Sequence, residues 1–90
     1  MQVIYERCCG LDVHKKTVVA CVVITSPDGQ VHRQVRTFAT TTTSLLVLAD
    51  WLASYQVSHV AMESSGIYWR PVFNAARKRV ARSFWSLRNT

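Results

Sequence analysis

The stretch "GLDVHKKTVVACVVI", residues 10–24, sets an aspartate into an apolar run, follows it with a histidine and two lysines, and then turns apolar again. Across residues 5–13 strand formers predominate, and Leu11 and Val13 alternate with Gly10 and Asp12, which predicts a first strand. Residues 17–24, "TVVACVVI", are apolar at both parities, the pattern of a central strand covered on two faces. The lysines then fall in the hairpin between the two strands. "SPDGQ" (26–30) carries the proline, aspartate and glycine of a tight turn, and residues 31–38 alternate with His32, Gln34 and Arg36 as a third strand with one wet face.

Further along, the hydroxyls of "TTTTS" (40–44) suit a helix cap, and Leu45, Leu48, Ala49, Leu52 and Tyr55 recur at the three-and-four spacing of one helical face. "VSHVAMES" (57–64), short and bounded by polar turn residues, predicts a fourth strand. Because a helix separates it from the meander, it is expected to lie parallel to a strand already in the sheet, reached by a right-handed crossover. After "SSG" (64–66), residues 68 to about 80 are expected to form a second helix with Pro71 in its first turn, where a missing N–H does little harm. The order is strand, strand, strand, helix, strand, helix: an α/β chain with a mixed sheet.

That order decides what the acids can do. If the fourth strand pairs with the first, Asp12 and Glu63 occupy C-terminal strand ends at one edge of the sheet, although 51 positions separate them. Neighbouring strands lie about 4.8 Å apart, so the two carboxylates can share a divalent metal. Open sheets also bind ligands outside the carboxyl ends of their strands. Glu6 and Asp28 fall at the opposite edge, and Asp50 lies on the first helix off its leucine stripe, a solvated position. A simpler assignment makes Asp12 an Asx-type residue at a strand end and Glu63 a helix-start acid acting on the dipole of the second helix.

Ninety residues form one domain at most and bury roughly 60 to 65% of the unfolded surface. Apolar residues at 49% and charged ones at 18% describe a folding chain rather than a disordered one. Eleven Lys and Arg against five Asp and Glu give +6, a balance that favours polyanionic partners. Arg77, Lys78, Arg79, Arg82 and Arg88 all lie in the last fourteen positions. Cys8, Cys9 and Cys21 are odd in number and read as buried, reduced thiols of a cytoplasmic protein, and His14, His32 and His59 lack zinc-site spacing. The longest apolar run falls well short of the roughly 20 residues of a membrane span. Lys15 and Lys16, beside Asp12, are candidate phosphate contacts. Tyr68 and Arg70, flanking Trp69, are candidates for stacking on a base, with a place in the core as the alternative, and Arg77, Lys78 and Arg79 are candidate nucleic-acid contacts.

"GLDVHKKTVVACVV" (10–23) followed by "VAMESSGIYWRPVFN" (60–74) resembles the N-terminal RuvC-like domain of DEDD-type transposases of the IS one-hundred-ten insertion-sequence family. The likeness runs from residue 9 to about 74, and the two motifs at this separation are specific. It implies a ribonuclease H-like fold, DNA transposition with Mg2+ or Mn2+, DNA as partner, a guide RNA in part of the family, and a homo-oligomer for the full-length protein. Asp12 and Glu63 match the first two acids of the family's Asp-Glu-Asp-Asp tetrad, which makes them catalytic and metal-binding. His14 and Lys15 match the motif beside the first acid, and Ser64, Gly66 and Tyr68 the segment after the second. The later acids and a following serine-bearing domain have no counterpart here, and "AARKRVARSFWSLRNT" (75–90) does not resemble the family's next strand. The expectation is a truncated transposase: residues 1–74 as part of the RuvC-like domain, 75–90 as a basic tail outside the ancestral frame, and a chain unable to cut DNA alone. The alternative is a non-catalytic remnant that binds nucleic acid through its tail. Sugar kinases and actin-like ATPases share the sheet order, but Gly10, Gly29 and Gly66 are too few for their phosphate loops.

Overall fold

The computed structural model describes residues 7–80 and 83–89; the expected strand start at Tyr5 and Glu6, and Arg82 of the basic tail, lie outside them. Three strands come first, β1 (Arg7–Val13), β2 (Thr17–Thr25) and β3 (Val31–Ala39), then α1 (Thr42–Ser54), β4 (His59–Ser64), α2 (Trp69–Ala76) and β5 (Phe84–Asn89). They make one sheet of order β3-β2-β1-β4-β5. The β1–β2 and β2–β3 pairs are antiparallel, and β4 runs parallel to both β1 and β5.

Local chemistry accounts for the junctions. Gly29 takes the positive φ of 88° that the β2–β3 turn requires, while the Gln30 amide donates to Asp28 Oδ1 at 3.1 Å. Thr41 caps α1, its hydroxyl accepting from the Ser44 amide at 3.3 Å. The leucine stripe of α1 is buried at Leu45, Leu48 and Leu52. Both helices lie on one face of the sheet, over Cys9, Leu11 and Val13 of β1, Val18, Ala20 and Val22 of β2, and Val60 and Met62 of β4. Among the described residues this layer between helices and sheet is the core.

Three expectations require correction. Among the described residues β2 is covered on one face only: Val19, Cys21 and Val23 are half-buried on a face that no described helix covers. A period-two pattern reports which side chains a strand carries, not whether an element exists to cover them. On β3 the polar His32, Gln34 and Arg36 share parity with buried Phe38 and so lie on the helix side, whereas Val31 and Val35 point to the open face, Val35 being 65% exposed. The helices reach only as far as Phe38 at this edge, so both faces of β3 are wet. Finally, α2 ends at Ala76, and the segment expected to supply no strand adds β5, whose alternation puts Trp85 against Phe73 at 5.1 Å in an edge-to-face pair. The boundary drawn at residue 74 falls inside α2.

Leu48→Ala is expected to cost about 2 to 5 kcal/mol in chemical denaturation, the range for emptying a core leucine site, whereas Val35→Ala should change stability by less than about 0.5 kcal/mol. Burial, with the neighbouring Cys21, pushes the Cys9 thiol from 9.0 up to about 12. The folded chain therefore keeps this proton after the unfolded chain has lost it. The stability it contributes is complete below pH 9 and falls as pH rises toward 12, to be read as a declining urea midpoint over that window. At pH 8 the folded chain should resist iodoacetamide at Cys9, as peptide mapping would show, because the thiolate is the reacting species.

Candidate metal and nucleic-acid site

The parallel β1–β4 ladder sets Asp12 directly opposite Glu63. Both side chains stand on the open face, because Asp12 alternates with buried Leu11 and Val13, and Glu63 with buried Met62 and Ser64. Backbone pairing therefore roots the two carboxylates on neighbouring strands, whose backbones lie about 4.8 Å apart. Beyond Glu63 the β4–β5 ladder adds Arg88, so the row reads Asp12, Glu63, Arg88 across three strands. The row borders a groove of about 490 Å³ whose wall also includes Val19, Cys21 and Ser86.

The turn after Asp12 is held from two sides. The His14 amide donates to the Thr17 carbonyl at 2.8 Å, and Thr40 grips the lysines' backbone, its hydroxyl donating to Lys15 O at 2.9 Å and its amide to Lys16 O at 3.1 Å. Lys15 and Lys16 thus stand exposed at the acid edge on a fixed backbone. His14 Nε2 lies 3.1 Å from Asp12 Oδ2, with both side chains more than half exposed, a contact that solvent screens. After Glu63, Gly66 turns the chain with φ 57°, and Asn89 at the end of β5 donates to its carbonyl.

The other candidates divide. Tyr68 precedes α2, which begins at the acid edge, and Arg70 in its first turn stacks over Trp69 at 5.6 Å. Trp69 itself packs with Phe73 against the core, so of this trio the indole is structural while Tyr68 and Arg70 are exposed. Arg77, Lys78 and Arg79 follow the C-terminus of α2; because α2 joins two parallel strands, they stand at the opposite edge, where Arg79 is ion-paired with Asp50 of α1. Sequence reasoning passed over Arg88 as part of a tail. The alternation of Phe84, Ser86 and Arg88 with Trp85 and Leu87 was the available signal.

Asp12 and Glu63 are hard oxygen donors, and Mg2+ commonly takes one or two protein carboxylates and completes its shell with water and phosphate oxygens. The pair fits such an ion on donor type and spacing, while among the described residues no group of three or more candidate ligands gathers. No described helix is long and apolar enough to cross a membrane.

Known structures share this fold. The RuvC of T. thermophilus in complex with Holliday junction substrate superposes with a TM-score of 0.67 at 10% identity, over 93% of this chain and 66% of that one. The fowlpox virus resolvase in complex with Holliday junction DNA gives 0.64 at 13%, over 92% and 60%. The Aquifex aeolicus member of the Ppx/GppA protein family gives 0.57 at 15%, over 96% and 36%. The chain thus spans about two thirds or less of each, and no relative was found among curated proteins. At such identities the likeness establishes the fold: a mixed sheet of the ribonuclease H-like, RuvC-like class. The sequence profile of one family, described as a transposase, the DEDD type of IS one-hundred-ten, matches residues 9–83. The chain belongs to that transposase family.

Asp12→Asn is expected to leave thermal unfolding unchanged, since the residue is exposed and its contact to His14 is screened. A collapse of the fold in this variant would show that Asp12 serves architecture.

Proposed function

We propose that the chain supplies the first half of a divalent-metal site that cuts and joins DNA phosphodiesters during transposition. The observation that carries this reading is the register pairing of Asp12 with Glu63 at the C-terminal strand edge. Asp12 and Glu63 would hold one Mg2+ or Mn2+. Such an ion, when bound, polarises a phosphoryl oxygen and supplies a nucleophilic water at neutral pH. The remaining work falls to the chain's own groups. His14 steers the Asp12 carboxylate through its 3.1 Å contact, and Lys15 and Lys16, on the turn pinned by Thr40, attract the phosphate backbone. Tyr68 and Arg70 offer a further exposed ring and guanidinium near the same edge, while Arg77 and Lys78 act at a distance from the chemistry.

The DNA partner rests on family membership and on the junction DNA present in two of the similar structures. A guide RNA and association with further copies belong to the same proposal, through the family alone. Two-ion phosphoryl transfer demands more carboxylates than this pair. The ninety-residue chain is therefore proposed to bind an ion and nucleic acid without completing catalysis; the family match through residue 83 carries the family's frame past residue 74, so only residues 84–90 remain proposed as lying outside it.

Titration with Mn2+ tests the site. Paramagnetic broadening should begin at the amides of Asp12, Glu63 and their neighbours, saturate, and vanish in Asp12→Ala and Glu63→Ala with the remaining spectrum intact. Broadening that spares this edge, or that survives both substitutions, would remove the assignment. A cleavage assay on branched DNA should give no product from the chain alone; metal-dependent product abolished by Asp12→Ala would overturn the half-site reading while upholding the role of Asp12.

A further inference from the structure

The edge strand β3 carries charges that no described residue neutralises. It pairs with β2 alone among the described residues, at the end of the sheet opposite β5, and all of it lies within the span that the family profile matches. From Val31 to Thr37 every side chain is exposed; His32, Arg33 and Arg36 stand among them, and no carboxylate does. Among the described residues neither arginine has an ion pair. Asp28, in the preceding turn, accepts the Gln30 amide, Asp50 is paired with Arg79 and Asp12 with His14, and Glu63 lies three strands away. The Arg36 guanidinium lies over the Phe38 ring at 4.8 Å, and Trp51 of α1 braces that ring at 5.7 Å. Stacked by its flat face, the guanidinium keeps its N–H edge for a partner outside the chain. β3 runs in the same direction as β1, so Ala39 reaches the acid edge, where Thr40 grips the backbone of Lys15 and Lys16. Arg36 lies about 10 Å along the strand from Arg33, and Thr40 about 13 Å further, at roughly 3.3 Å per residue.

The geometry points to a track for a nucleic-acid duplex along this edge, its phosphates held by Arg33 and Arg36 and led to Lys15 and Lys16 beside Asp12. The partner rests on the DNA reading above, which the two arginines extend along a whole strand. Charge decides the class of partner. A second copy of the chain added edge to edge would set arginine near arginine, whereas a polyanion gains at each of them. One strand of a duplex offers a phosphate about every 3.4 Å of axis, so an edge of this length meets several of them without bending the duplex. Phe38, the one aromatic residue of β3, is buried, which leaves an unpaired base nothing on the strand to stack against. Contacts of this kind fix where a duplex lies without reading its sequence.

Fluorescence anisotropy of a short labelled DNA duplex, in EDTA, tests the track apart from the metal site. Arg33→Gln and Arg36→Gln should each weaken binding and lower the slope of log affinity against log salt by about 0.9, the effect of one lost phosphate contact, and by about 1.8 together. Duplexes of unrelated sequence should lose affinity alike. Arg33→Lys combined with Arg36→Lys should keep the wild-type slope, because a point charge suffices at a phosphate. Gln34→Ala, neutral and on the same strand, should change nothing. All these side chains are exposed, so thermal unfolding should stay that of the wild type. An RNA duplex of equal length offers the same phosphates, and the one bound more tightly, with the same dependence on the arginines, is the natural source. An unchanged slope in the double Gln variant, or a single strand bound more tightly than the duplex, overturns the proposal. So does a double variant that self-associates yet binds DNA as the wild type does, since the arginines would then only guard the edge against strand pairing. Because no metal is present, this result stands whether or not Mn2+ broadens Asp12 and Glu63, and the reverse holds too.

Discussion

The parallel pairing of β1 with β4 is the constraint on which the rest of this molecule depends. It is the one ladder that joins the N-terminal meander to the crossover half of the chain. The same ladder buries Leu11 against Met62 on the helix side and sets Asp12 against Glu63 on the other. Because side chains alternate with period two, a slip of one residue would send the carboxylates into the core and the apolar pair into water. Burial of the core face thus enforces the geometry of the acidic edge, at no separate energetic cost to the site.

The helices cover one face and leave the other open, and that asymmetry explains most of the surface. Apolar patterning on β2 and β3 asks for cover on both sides, yet Val19, Cys21, Val23 and Val35 meet a face with no helix over it. The acid row, the groove it borders and the stacked rings of His59 and Phe84 all lie on that face. Structure and chemistry are divided between the faces: the side that α1 and α2 pack against supplies stability, and the side they leave bare carries the two carboxylates proposed to hold an ion.

Much of this was legible in the residues. The alternation around Asp12, the turn at "SPDGQ", the leucine stripe of α1 and the short "VSHVAMES" run each stated its element; the crossover argument made β4 parallel to a strand of the meander, and the structure shows that strand to be β1, the partner supposed for it. The segment after Asn74 was not legible, because its basic composition masked the alternation of Phe84, Ser86 and Arg88 with Trp85 and Leu87. The strand forms there because β4 offers a free edge and Phe73 offers Trp85 a partner, and neither lies nearby in sequence. The cluster of Arg77, Lys78 and Arg79 looked continuous with the site only because the chain is written as a line; α2 carries it to the other edge.

Sequence alone determined the secondary elements up to α2, the identity of the two acids and the family motifs around them, because these depend on local periodicity and residue type. Tertiary structure alone decided which face is bare, that Arg88 extends the acid row, and that His59 meets Phe84. Those facts depend on strand neighbours 25 residues apart, paired through backbone hydrogen bonds that are blind to side-chain identity.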